Sequence, residues 1–379
     1  MESQRTIPSE EEIKEFKKLL NHINKPPIKI FQTEHGDILD CIDIQKQRAF
    51  DHPLLKNHSI QLKPTTIPKW TRDNNTFQKS TSLPFRQENL SCPFGTVIVK
   101  RTTLEDLIQT QHLKSLGLSN PNSKDRNIDT TGYHFAVAEY KANNYGATGY
   151  INVWDLHVSP NQFSRASIHV SGGNNYHLQS ISAGWIVNQR LKNNHSSLSI
   201  SWTTDSDNIS VGCFNTRCPG FVQVSTKFPL GILVHPVSTY NGEQFHLVVS
   251  LFQDHGSGNW WFMLRDDPIG YWPKSLFKTE GLANGASWVY WGGEVFSPVK
   301  EKSPTMGSGH YAQEGFRKAA YINGIKVIDH VSRKFFSPTT AAIQTYANNP
   351  GCYNVETKSG TGEFWSRAVF YGGPGGCTF

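Results

Sequence analysis

The segment Ser287-Trp288-Val289-Tyr290-Trp291-Gly292-Gly293-Glu294-Val295 holds an acid in a setting that suggests catalysis. Side chains alternate along a strand, so Tyr290, Gly292 and Glu294 share one face. Glycines beside an acid let a substrate come close to the backbone. Aromatic neighbours would shield the carboxyl from water. Taken alone, the same residues also read as an exposed edge glutamate beside a bulge.

Other chemistries find no support in the chain. It contains no G-x-S-x-G elbow, no H-E-x-x-H pair and no glycine-rich phosphate loop, which argues against an α/β-hydrolase, a zincin and a nucleotide enzyme. Cys213 and Cys218 have no second Cys/His pair at zinc spacing. The six cysteines fall two early, two close together in the middle and two near the end. That distribution pairs Cys41 with Cys92, Cys213 with Cys218 and Cys352 with Cys377. Asn-x-Ser/Thr sequons begin at Asn57, Asn74, Asn89, Asn194 and Asn208. Paired cysteines and several sequons together predict a secreted glycoprotein. Residues 1–5 form no apolar leader, so secretion requires a leader upstream of Met1.

The elements that must carry these residues are mostly strands. Aromatics make up 12% of 379 residues, with 31 Gly, 20 Pro and only 3 Met, a β- and turn-rich composition. No run of about 18 apolar residues predicts a membrane helix. A net charge of +6 without a dense basic run predicts no nucleic-acid partner. Ser9 and Glu12 form a capping box ahead of Ile13, Phe16, Leu19, Leu20 and Ile23, predicting a helix that Pro26-Pro27 stops. A second short helix is predicted from Thr103. The polar stretch 119–126 reads as a linker or cleavage site. From Gly132 onward, short strands are predicted at Tyr133–Lys141, Gly149–Leu156, Gln162–Ser171, His177–Val187, Leu198–Thr203, Gly220–Ser225, Ile232–Val237, Gln244–Gln253, Trp260–Leu264 and Ser287–Phe296. Turn residues bound each one, and an antiparallel sandwich or barrel follows. The resulting division is 1–128 and 129–379.

Several motifs in order carry a resemblance. They are Asp40-Cys41-Ile42-Asp43, Ala49-Phe50-Asp51-His52-Pro53-Leu54, Cys92-Pro93-Phe94-Gly95-Thr96, Ala183-Gly184-Trp185, Gly212-Cys213-Phe214-Asn215-Thr216-Arg217-Cys218-Pro219-Gly220, Gly270-Tyr271-Trp272-Pro273 and Trp291-Gly292-Gly293-Glu294-Val295. The chain resembles the plant neprosin family from about residue 10 to Phe379, with an activation-peptide domain ahead of a catalytic domain. The resemblance implies a smaller α+β activation domain followed by a bent antiparallel β-sandwich. It also implies a secreted glutamic endopeptidase that prefers to cut after proline in acid. Such an enzyme is made as a zymogen, with the N-terminal domain over the cleft and no metal or cofactor. Its partner would be a peptide or protein substrate, proline-rich ones included. No membrane partner is implied, and the chain is expected to be a monomer.

In such a peptidase one carboxylate activates water as general base and a protonated one steadies the oxyanion. Two neighbouring carboxyls resist double ionisation, which favours work in acid. Here the chain departs from the family. The first family glutamate falls at Ser182, just before Ala183-Gly184-Trp185, and the second falls at Glu294 or, under the other mapping, at Tyr290. The expected catalytic positions are therefore Glu294 and Ser182. The expected substrate-binding residues are Trp185, Tyr290, Trp291, Gly292 and Gly293. A hydroxyl is a poor substitute for a general base, and losing one acid/base group costs about 10²–10⁴ in rate. Glu139 and Asp205 are candidate replacement acids. The alternative function is a non-catalytic secreted sandwich that binds peptide or cell-wall polymer through an aromatic-lined cleft.

Overall fold

The computed structural model describes residues 9–68, 90–108, 132–173, 178–188, 193–206, 209–361 and 365–378. The predicted linker at 119–126 and the sequons at Asn74, Asn89 and Asn208 lie outside these residues.

The N-terminal part is small and mixed. Helix α1 spans Glu10–Ile23, and the Ser9–Glu12 capping box forms as predicted. Strands β1 (Pro27–Gln32), β2 (Ile38–Asp43) and β3 (Thr96–Lys100) make an antiparallel sheet in the order β1-β2-β3. The central strand is buried, and Leu39, Cys41, Cys92 and Ile98 form its core. The Cys41–Cys92 disulfide closes the long excursion between β2 and β3. Thr103 caps a further helical turn through Asp106.

The remainder is a two-sheet antiparallel sandwich. In chain order its strands are β4 (Tyr133–Tyr140), β5 (Asn144–Asn152), β6 (Phe163–Gly172), β7 (Gln179–Asn188), β8 (Asn193–Ser206), β9 (Ile209–Phe214) and β10 (Val222–Gln223). Then come β11 (His246–Gln253), β12 (Trp260–Leu264), β13 (Asp267–Trp272) and β14 (Trp288–Phe296). The last five are β15 (Ala320–Asp329), β16 (Phe335–Phe336), β17 (Ile343–Ala347), β18 (Asn354–Lys358) and β19 (Ala368–Gly372). One sheet runs β17-β4-β14-β6-β7-β8-β9. The other runs β10-β13-β12-β11-β5-β15-β19-β18, with β16 alongside β15.

Between the sheets lies a large apolar core. Trp185, Trp260, Trp261, Trp272 and Trp291 are fully buried. The Trp185 indole donates to the Asn152 carbonyl and that of Trp291 to the Thr148 carbonyl, so both reach from one sheet to the other. Cys213–Cys218 and Cys352–Cys377 are disulfides, completing the predicted pairing. The predicted strand Ile232–Val237 is instead a loop with a single bridge at Leu233. Pro236 supplies no N–H, so a ladder cannot continue through it.

The N-terminal part docks on the β12–β13–β10 end of the nine-stranded sheet. The Gln47 amide bonds both the N–H and the carbonyl of Gln223. The Tyr271 hydroxyl meets His58 Nε2 at 2.8 Å and accepts from the Gln61 N–H at 3.0 Å. Ala49 and Leu55 enter the main core. Asp254 accepts from Gln61, from the Thr65 hydroxyl at 2.6 Å and from the Thr66 N–H.

Candidate functional site

The β14 segment builds the site, and ladder register decides its neighbours. Tyr290 stands opposite Glu139 on β4 and His169 on β6. His169 in turn pairs with Ser182 on β7, and Ser182 with Ser201 on β8. One row therefore reads Glu139, Tyr290, His169, Ser182, Ser201 across five strands. Four residues along β14, a second row joins Phe135, Glu294, Arg165 and Ile186. Trp185 and Trp291 point into the core, so these rows occupy the outer face of the seven-stranded sheet.

A third row lies between them: Gly292, Ser167, Gly184 and Ser199. It is low because larger side chains do not fit. A Cβ at Gly184 would lie 2.0 Å from the Ala166 carbonyl oxygen, and one at Gly292 (φ +153°) would lie 2.3 Å from that of Ala136. Side chains from the flanking rows can therefore meet across it.

They do so as a polar chain. Arg165 Nη2 donates to Glu294 Oε2 at 2.5 Å, and Arg165 Nη1 donates to Ser201 Oγ at 3.2 Å. Ser201 and Ser182 share a hydroxyl–hydroxyl bond of 2.6 Å. The Tyr290 hydroxyl lies 3.5 Å from the same Glu294 oxygen. His169 stacks on Tyr290 with ring centroids 4.3 Å apart. Glu294 is 3% exposed and Ser182 2%. Burial, the largest single influence, pulls the Arg165 guanidinium down, but the charge of Glu294 acting together with Tyr290, the hydrogen bond to Glu294 and Tyr133 outweighs it, so its pKa is raised. Burial, and secondarily Arg165, push His169 down to about 3, so its imidazole is neutral at ordinary pH. Burial, with Glu294 second, raises the Tyr290 phenol. Among the described residues, Arg165 Nε, His169 Nδ1, Ser171 Oγ and Trp288 Nε1 are buried on this face without hydrogen-bond partners. These groups are mostly donors, fitted to receive carbonyl oxygens.

The structure thus brings Glu294, Ser182 and Tyr290 onto one face and lets Gly292 open it. Against expectation, Trp185, Trp291 and Gly293 lie on the other face. Both indoles are buried between the sheets, and Gly293 faces Met306 and Tyr371. Odd and even positions of β7 and β14 alternate sides, so these three cannot line the outer groove. Glu139 sits beside Tyr290 but pairs with Lys141 at 2.7 Å. Three strand spacings, roughly 14 Å, separate it from Ser182. Asp205 lies further along β8, opposite Ser210.

Arg165, His169 and Ser201 escaped the sequence reading. Their signal was available, since Phe163, Arg165, Ser167, His169 and Ser171 alternate along a predicted strand. Nothing local indicated that this strand lies beside Glu294. Among the described residues, no group of three or more His, Cys, Asp or Glu could hold a metal ion.

An antiparallel sandwich with polar rows on one sheet is preceded by a small disulfide-closed part docked against it. Comparison with protein families points to a peptidase made with a propeptide. Residues 160–374 match the Neprosin model, and residues 30–139 match the Neprosin activation peptide. The chain belongs to the neprosin family.

Proposed function

We propose that this chain is a secreted neprosin-type peptidase whose acid chemistry has been disabled, and that its groove binds extended, proline-containing peptide without efficient cleavage. One observation carries this reading: the Glu294 oxygen is held by Arg165 at 2.5 Å, while the Ser182 hydroxyl, among the described residues, bonds that of Ser201 and no carboxylate. A glutamic peptidase needs two carboxyls that share a water and a proton. The Ser182–Glu294 combination offers one carboxyl, engaged by a guanidinium. Register supports the mapping of the second family position to Tyr290, because Tyr290 and Ser182 flank His169 in one row. Two strand spacings, roughly 10 Å, separate their backbones, and glutamates there could converge on a water. Under that mapping both acids have been replaced.

The unpartnered donors at Arg165, His169, Ser171 and Trp288 suit peptide carbonyls, and Trp288 with Tyr290 suits proline rings. Secretion accords with three disulfides and with the exposed sequon asparagine Asn57.

The test is a quenched proline-containing peptide incubated with the full chain between pH 3 and pH 7. Native protein is expected to bind it and leave it intact. Ser182→Glu/Tyr290→Glu is expected to restore cleavage, while Ser182→Glu alone is not. Restoration by the single change would instead make Glu294 the partner acid. Native cleavage abolished by Glu294→Gln would overturn the proposal.

A further inference from the structure

A cleft between the N-terminal part and the sandwich carries an unbalanced positive charge. It is open to solvent and is lined by Lys25, Arg48, Lys100, Arg101, Asp40 and Thr216, among others. Three of the four cations are already paired. Lys25 holds both oxygens of Asp51 at 2.9 Å, Lys100 holds Asp37 at 2.8 Å, and Arg101 grips Asp40 through Nε and Nη2. Among the described residues, the Arg48 side chain makes no hydrogen bond or ion pair, and its Nε is buried without a partner. The acid that influences it, Asp51, is already engaged by Lys25. Burial accordingly lowers the pKa of Arg48, with Asp51 opposing. A half-buried guanidinium with no partner is an unfavourable arrangement unless something fills the cleft.

The spare donors describe that occupant. Among the described residues, Arg48 offers its whole planar fork, and Arg101 Nη1, the third Lys25 proton and the Lys100 proton left over from Asp37 and the Gly231 carbonyl remain unused. Thr216 adds a hydroxyl from the sandwich side. We propose that this cleft is a binding site for a small divalent oxyanion such as phosphate or sulfate, anchored on Arg48. Planar guanidinium donors match oxyanion geometry, and several cations favour two negative charges over one. The walls belong to both parts of the chain, so occupancy also holds the N-terminal part against the sandwich by mass action.

The experiment is titration of the full chain with inorganic phosphate, by calorimetry and thermal unfolding, against chloride at matched ionic strength. One saturable phosphate site and a rise in Tm that chloride does not reproduce are expected. Arg48→Gln should weaken phosphate binding at least tenfold while near-UV circular dichroism is unchanged. Thr216→Val should weaken it several-fold and leaves every cation in place. Equal behaviour in phosphate and chloride would overturn the proposal. So would an unchanged phosphate affinity in a folded Arg48→Gln protein.

Discussion

Asp254 is the clearest electrostatic link between the two parts of the chain, and replacing it with asparagine gives a measurable prediction. Its carboxylate is 1% exposed and accepts from Gln61, Thr65 and Thr66 of the N-terminal part and from Ser257 of its own loop. Burial alone would raise its pKa. The Ser257, Thr65, Gln61 and Thr66 bonds outweigh burial and hold it at about 2. At about 1.4 kcal/mol per unit, a drop from 3.8 to about 2 is worth roughly 2.5 kcal/mol at most. Ser257 stays bonded when the N-terminal part leaves, and nearby solvent screens the charge. The docking share is therefore about 1–2 kcal/mol. The depressed pKa sets the sign: this stability is fully present above about pH 4 and is lost as pH falls through about 2. Asp254→Asn should lose about 1–2 kcal/mol at pH 7 in denaturant unfolding followed by tryptophan fluorescence. Its N-terminal segment should also be cut faster by added protease. The gap to the native protein should narrow between pH 4 and pH 2, where the native carboxyl becomes neutral too. A gap below about 0.5 kcal/mol at pH 7, or one that stays constant down to pH 2, would refute the clamp.

Milder acid acts elsewhere. Burial lowers the pKa of His58, which meets Tyr271, so its contribution to docking is complete above about 6.5 and declines as pH falls below that value. Native protein, but not His58→Gln, should show increased protease sensitivity of the N-terminal segment between pH 6.5 and pH 4.5. Arg165→Met strands the buried Glu294 carboxylate and should cost about 3–5 kcal/mol, of which Arg165→Met/Glu294→Leu regains most, as read by denaturant midpoints. Loss of the Cys41–Cys92 link, with 51 residues of separation, should cost about 4 kcal/mol by chain entropy, measured on Cys41→Ala/Cys92→Ala. Gly184→Ala forces a Cβ against the Ala166 carbonyl oxygen and should cost about 3 kcal/mol or more, visible as a lowered Tm.

Much of the fold could be read locally. The Ser9–Glu12 box, the period of α1 and the limits of β12 depend only on nearby residues, and they appear as expected. The β7 and β14 strands needed only alternation and turn residues. Strands after residue 296 were not anticipated. Asn354-Val355-Glu356-Thr357-Lys358 and Phe335-Phe336 have weak intrinsic patterns, and pairing with β19 and β15 organises them.

The amino-acid sequence alone determined the neprosin resemblance, the three disulfide pairs and the mostly-β class, because each is a matter of residue type, spacing or local periodicity. Tertiary structure decided which groups meet. Arg165 reaches Glu294 only because β6 lies between β14 and β7, and His169 separates Tyr290 from Ser182 for the same reason. Trp185 and Trp291 became core residues because strand register turned them inward. Strand order and register arise from pairings between residues far apart in the chain, and no short stretch of sequence contains that information.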